Sequence, residues 1–99
     1  TYTATYRVRV GGPVISQLVA RPGPGRVTIT WTTDVPADSQ VQYGPTTNYG
    51  NATALDRTLV TAHSVTVTGL SRKANYFFQV LSRDGVGSLS SATGSFRTR

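Results

Sequence analysis

The side chains able to do chemistry are few: His63, the hydroxyl of Ser64 beside it, and the carboxylates of Asp34, Asp38, Asp56 and Asp84. There is no Cys and no Glu. A Ser–His–Asp relay can be drawn through His63 and Ser64, but such a relay needs its serine presented on a sharp turn such as Gly-x-Ser-x-Gly. No such turn occurs, and His63 is expected to be an edge or loop residue hydrogen-bonded to a neighbour. Asp34 and Asp38 flank Val35-Pro36-Ala37, where a calcium ion could be imagined. Calcium takes six or more oxygens, so the pair is expected to cap turns instead. In Arg83-Asp84-Gly85-Val86-Gly87 the order is not that of an Arg-Gly-Asp ligand, and a hairpin with a positive-φ glycine is expected. Asn51-Ala52-Thr53 is a glycosylation sequon, meaningful only in a eukaryotic secretory pathway. No catalytic residue, cofactor or metal ligand is expected.

Binding chemistry is better represented. The formal charge is +6, which raises the question of nucleic acid. Along the chain, however, the cations are scattered: Arg7 and Arg9 near the start, Arg72 and Lys73 together, Arg97 and Arg99 at the end, and Arg21, Arg26, Arg57 and Arg83 between. A phosphate-binding face concentrates its cations, so nucleic acid is not expected. A second candidate is a surface. If Tyr76, Phe78 and Val80 face inward, Phe77, Gln79 and Leu81 face outward beside Gln40 and Gln42 of a neighbouring strand. Exposed aromatic and amide groups there could stack on a sugar or meet a partner protein.

The elements that must position these residues read as strands. Arg26–Thr32 alternates cleanly, with Val27, Ile29 and Trp31 on one side and threonines on the other. A first strand is expected over Val14–Ala20, with Ile15 and Leu18 inward. A turn is expected at Arg21–Gly25, because prolines and glycines there break a ladder. Asp34–Ser39 reads as a loop, and Ser39–Gly44 as a strand with Val41 and Tyr43 inward. Pro45–Thr53 is rich in turn residues. Arg57–Val60 suggests a short edge strand, His63–Leu70 another strand with Val65 and Val67 inside, and Asn75–Arg83 another. Asp84–Ser88 reads as a tight turn and Ser88–Thr98 as a closing strand with Phe96 in the core. The expected core is Trp31, Tyr43, Val65, Val67, Leu70, Tyr76, Phe78, Val80 and Phe96.

Thr and Ser make up about a quarter of the 99 residues and charged residues only 14%, a bias toward strands and turns. Short strands with turn signals every eight to twelve residues or so predict an all-β chain. The expected architecture is an immunoglobulin-like two-sheet antiparallel sandwich of about seven strands. No apolar run is long enough to span a membrane as a helix.

Gly69-Leu70-Ser71-Arg72-Lys73-Ala74-Asn75-Tyr76 resembles the corner of a fibronectin type III domain, where a Leu precedes a Tyr by six positions. The resemblance implies that Leu70 plugs the sandwich end while the Tyr76 hydroxyl bonds back to the preceding turn. Trp31 in Val27-Thr28-Ile29-Thr30-Trp31, the run Tyr76–Ser90 and Gly94-Ser95-Phe96-Arg97-Thr98 match the same family. Arg72 departs from it, standing where the family usually has Pro. Ser39–Gly50 followed by His63–Leu70 is also similar to a sub-group of these domains that accompanies secreted bacterial hydrolases and surface proteins. A related domain precedes the catalytic domain of purple acid phosphatases, where the metal ligands lie in the other domain.

The resemblance covers about residues 14–98 and leaves the alternating Thr1–Val10 outside it. That segment is expected to be the tail strand of a preceding domain or a linker, with Gly11-Gly12-Pro13 as the joint. No Met occurs, so a segment of a longer chain is expected. The expected function is a non-catalytic spacer or interaction module of a secreted or cell-surface protein, at an extracellular location. Its partners would be flanking domains of the same polypeptide, with polysaccharide or another surface protein as further candidates. The alternatives are an accessory carbohydrate- or protein-binding module and the non-catalytic N-terminal domain of a metallophosphatase-like enzyme.

Overall fold

The computed structural model describes residues 13–99. The strand expected at Thr1–Val10, and Gly11 and Gly12 of the joint after it, lie outside the described residues. Six strands follow in order: β1 Ile15–Gly23, β2 Arg26–Gly44, β3 Asn51–Ala52, β4 Asp56–Val67, β5 Asn75–Arg83 and β6 Leu89–Arg97. Every pairing between them is antiparallel.

The frame is β2, 19 residues long. Its first half pairs with β1 on one side and β4 on the other. Its second half pairs with β3 and β5, and β5 pairs with β6. The two layers are therefore β1–β2–β4 and β3–β2–β5–β6. Six strands fill seven strand positions because β2 serves both layers, as a strand that changes sheets does in a sandwich.

That sharing explains two departures from the sequence reading. Asp34–Ser39 is not a loop. It is the stretch of β2 that crosses between layers, with irregular register against β4 between Thr32 and Ala37 and again between Ala37 and Ser39. Its buried residues, Ala37 and Ser39, and Thr33 just before it, are small enough for the chain to bend close to the core. Likewise the two strands expected around Arg57–Val60 and His63–Leu70 are one strand, β4. Pro45–Thr53 holds the two-residue β3 as well as turns.

At Arg21–Gly25 the turn is shorter than expected. β1 continues to Gly23, and Pro22 sits opposite Val27. It is tolerated because β1 is an edge strand. Only Pro24 and Gly25 turn the chain, with Gly25 at φ 66°, the Pro-then-Gly order of a type II turn. Ile15 and Leu18 both pack on the core, although three residues apart they would point to opposite faces of a regular strand. A bulge reconciles them. Ser16 pairs with Thr32 and Val19 with Thr30, leaving Gln17 and Leu18 opposite one residue, and Gln17 takes φ 54°.

The core lies between the layers. Val27, Ile29, Trp31 and Val67 come from one, and Val41, Phe78, Val80 and Phe96 from the other. Each such side chain contributes about 1.5–3 kcal/mol by leaving water. Tyr43, Val65, Leu70 and Tyr76, also expected in the core, pack against it while partly exposed. Trp31 ties the layers together with a polar contact: its Nε1 donates to Ser82 Oγ at 2.9 Å, both residues being buried. Gly94 faces Phe78 across β5 and β6, and a Cβ there would lie 2.6 Å from Phe78 Cζ.

Candidate functional site

The outer face of the β3–β2–β5–β6 layer brings together the residues expected to form a surface. In register, Gln40 pairs with Leu81, Gln42 with Gln79, and Gly44 with Phe77. Phe77 is 37% exposed, while Gln40, Gln42, Gln79 and Leu81 are half-buried. On the far side of β5, Phe77 pairs with Ser95, Gln79 with Thr93 and Leu81 with Ser91. The aromatic ring therefore stands in a field of amides and hydroxyls. One amide is already engaged, since Gln40 Nε2 donates to the Thr53 carbonyl at 3.0 Å. Gly44 closes one end of this face: a Cβ on it would collide with the Tyr49 carbonyl, so the 45–50 loop folds directly over its backbone.

His63 lies elsewhere, and its position corrects the sequence reading. It sits on an edge strand and is hydrogen-bonded, as expected, but its ring is buried at 3% exposure. The ring stacks on Trp31 with centroids 4.9 Å apart and planes 2° apart. His63, Val65 and Val67 share one parity of β4, so the alternation that places the valines inside already carried the signal for the histidine. Its partners are Thr33 Oγ1, 2.9 Å from Nε2, and Ser39 Oγ, 2.7 Å from Nδ1. Thr33 Oγ1 also donates to the Val35 carbonyl at 2.8 Å. A hydroxyl has one proton to give, so Nε2 donates to Thr33 and Nδ1 accepts from Ser39. Ser64 plays no part, being exposed on the opposite face. The cluster pins β4 to the stretch where β2 crosses between layers.

Burial, the largest influence, holds the His63 pKa below its ordinary value, with Asp38 and Asp56 pulling the other way. The folded protein thus binds this proton less readily than the unfolded chain. The resulting stabilisation is complete above the unfolded pKa of about 6.5 and is lost as pH falls from there toward the folded value. The urea midpoint should therefore drop as pH falls from 7.5 into the range below 6.5. In His63→Gln it should stay level over the same range, from a lower starting stability. Equal slopes in the two proteins would show that His63 is not the group responsible.

The carboxylates serve the backbone. Asp34 Oδ1 accepts from Val14 N at 2.8 Å and Asp38 Oδ1 from Arg83 N at 2.8 Å. These are long-range ties at the crossover rather than the local turn caps expected. Asp56 and Asp84 are local caps, accepting from Thr58 N and from Val86 N and Ser88 N. Among the described residues no three His, Cys, Asp or Glu side chains are grouped to hold a metal ion. At the 84–88 turn the positive-φ glycine is Gly87, at 92°. The sequon residue Asn51 is exposed at the start of β3.

The corner implied by the fibronectin resemblance is present. Tyr76 Oη accepts from Ser71 N at 2.8 Å, and the Tyr76 ring stacks on Phe96 at 5.6 Å. Three strands facing four, a buried tryptophan in β2 and this tyrosine corner define an immunoglobulin-like sandwich of the fibronectin type III class. Within that class, the family model for the purple acid phosphatase N-terminal domain matches residues 13–98, and the chain belongs to this family. No curated protein matches the sequence.

Proposed function

We propose that this chain is the non-catalytic accessory domain of a larger polypeptide and holds a metal-dependent phosphatase-like catalytic domain at a set distance and orientation. The observation carrying this reading is the family match, which spans nearly the whole described sandwich. Geometry supports it. Val14 is tied to Asp34 at the crossover end, whereas Arg99 is tied to Gly23 at the far end of β1. The two points of attachment are thus separated by the length of a nine-residue strand, roughly 30 Å. An extracellular location belongs to the same proposal.

The test compares the 99-residue chain with the full polypeptide of its gene in hydrolysis of a chromogenic phosphate monoester with added divalent metals. The chain alone should be inactive and the full polypeptide active. Turnover by the chain alone, or a gene with no metal-ligand-rich domain after Arg99, would overturn the reading.

A second reading has the exposed Phe77 ring among amides and hydroxyls in its favour: an accessory contact with polysaccharide on the outer face. In that case the chain is retained on an insoluble polysaccharide, and Phe77→Ser abolishes retention without moving the melting temperature. Retention of the variant, or none of the parent, removes this reading.

A further inference from the structure

Folding sorts the charges that the sequence scatters. Arg26 closes the β1–β2 turn opposite Gly23. Arg72 and Lys73 lie in the turn before β5, and Arg97 and Arg99 at the end of the chain. Hydrogen bonds join these three segments at one pole: Leu70 N to the Gly25 carbonyl, Arg99 N to the Gly23 carbonyl, Thr98 N to the Ala74 carbonyl, and Arg72 Nε to the Arg99 carbonyl at 3.5 Å. All five cationic side chains are exposed.

The four carboxylates are at the other pole. Asp34 and Asp38 are in the crossover of β2, Asp56 pairs with Ser39, and Asp84 bridges to Ala37. The length of β5 separates the two groups by roughly 27 Å, well beyond the ~8 Å screening length at physiological salt. The basic pole therefore projects its positive field without local compensation from an aspartate.

The pole is also concave. A groove of ≈ 350 Å³ is lined by Leu70, Ser71, Asn75 and Tyr76, which flank the Arg72-Lys73 turn, and by the paired Tyr43 and Asn51 of β2 and β3. Arg97 reaches Asn75 at its rim, with Nη1 3.4 Å from Oδ1. Lys73 holds a left-handed φ of 52° and is exposed.

We propose that this basic pole and groove bind multiply phosphorylated anions. Four of the five cations are arginines, whose planar forks match phosphate oxygens in pairs. The choice of phosphate over carboxylate rests on the accessory-domain reading above, in which the pole that holds Arg99 faces a phosphatase-like domain. An anion gathered there would be concentrated beside that domain.

The probe is inorganic polyphosphate, titrated into the 99-residue chain across a series of salt concentrations, with poly-glutamate and single-stranded DNA as comparators. Polyphosphate should bind at least ten-fold more tightly than either. The variant Arg72→Gln/Lys73→Asn/Arg97→Gln should bind it at least ten-fold more weakly at low salt, and its slope of log K against log salt should be shallower by about 2, at about 0.7 per lost contact. Lys73→Asn alone, which suits the left-handed backbone, should lower the slope by about 0.7. Arg57→Ser, beside Asp56 at the acidic pole, should change nothing. Equal binding of poly-glutamate or DNA, unaltered binding by the triple variant, or an equal loss in Arg57→Ser would overturn the proposal. None of these outcomes bears on the accessory-domain reading, which the hydrolysis comparison decides.

Discussion

Trp31→Ala is expected to remove about 3–5 kcal/mol of stability, the range for truncating a large buried aromatic. Three losses combine. The indole is 1% exposed, so its removal opens a cavity where the two layers meet. His63 loses the ring on which it stacks. Ser82 Oγ, fully buried, loses its donor. For a domain whose whole stability is of order 5–15 kcal/mol, such a change brings the folded state close to its limit. Trp31→Phe separates the contributions. It keeps a ring against His63 but leaves Ser82 without its partner, at about 1–3 kcal/mol, and adding Ser82→Ala should recover part of that. Urea unfolding followed by circular dichroism measures all four proteins. A loss below about 1 kcal/mol in Trp31→Ala would show that the indole does not join the layers as described.

Gly94→Ala is the second substitution with a large expected effect. Most core changes remove volume, whereas this one adds a methyl where the Phe78 ring already lies, at 2.6 and 2.8 Å from Cζ and Cε1. Phe78 is buried and tilts against Phe96 with centroids 6.0 Å apart, so it has little room to retreat. Overpacking of this kind costs about 1–3 kcal/mol. The diagnostic is a cycle with Phe78→Leu. The smaller side chain destabilises on its own, yet in its presence Gly94→Ala should cost little, because the contact atoms have gone. If the two losses simply add, the glycine is not required by the phenylalanine.

Much of this arrangement was legible in the sequence, and the failures have physical causes. Alternation placed Val27, Ile29, Trp31, Phe78, Val80 and Phe96 correctly because one face of each strand is covered and the other meets solvent. The fibronectin type III resemblance carried by Gly69–Tyr76 implied the corner. Asp34–Ser39 misled because two aspartates and a proline signal a loop, while here the carboxylates are held by distant backbone amides of Val14 and Arg83. Such ties leave no trace in local sequence. For His63 the telling signal is its parity with Val65 and Val67 in β4, which a polar, titratable side chain masks. The charge distribution could not be read in one dimension at all: Arg26, Arg72 and Arg99 become neighbours only through the hydrogen bonds that close one end of the sandwich. The outer face holding Phe77, Gln79, Leu81, Gln40 and Gln42 follows from strand parity and was legible.

The attachment of Val14 at one end of the sandwich and of Arg99 at the other has a mechanical consequence. Tension applied between those points draws β1 and β6 lengthwise past β2 and β5. The ladder bonds of each pair then bear the load together instead of opening one after another like a zipper. In the accessory-domain role proposed above, such a chain would resist extension in shear, the stiffer of the two ways to pull a sheet apart.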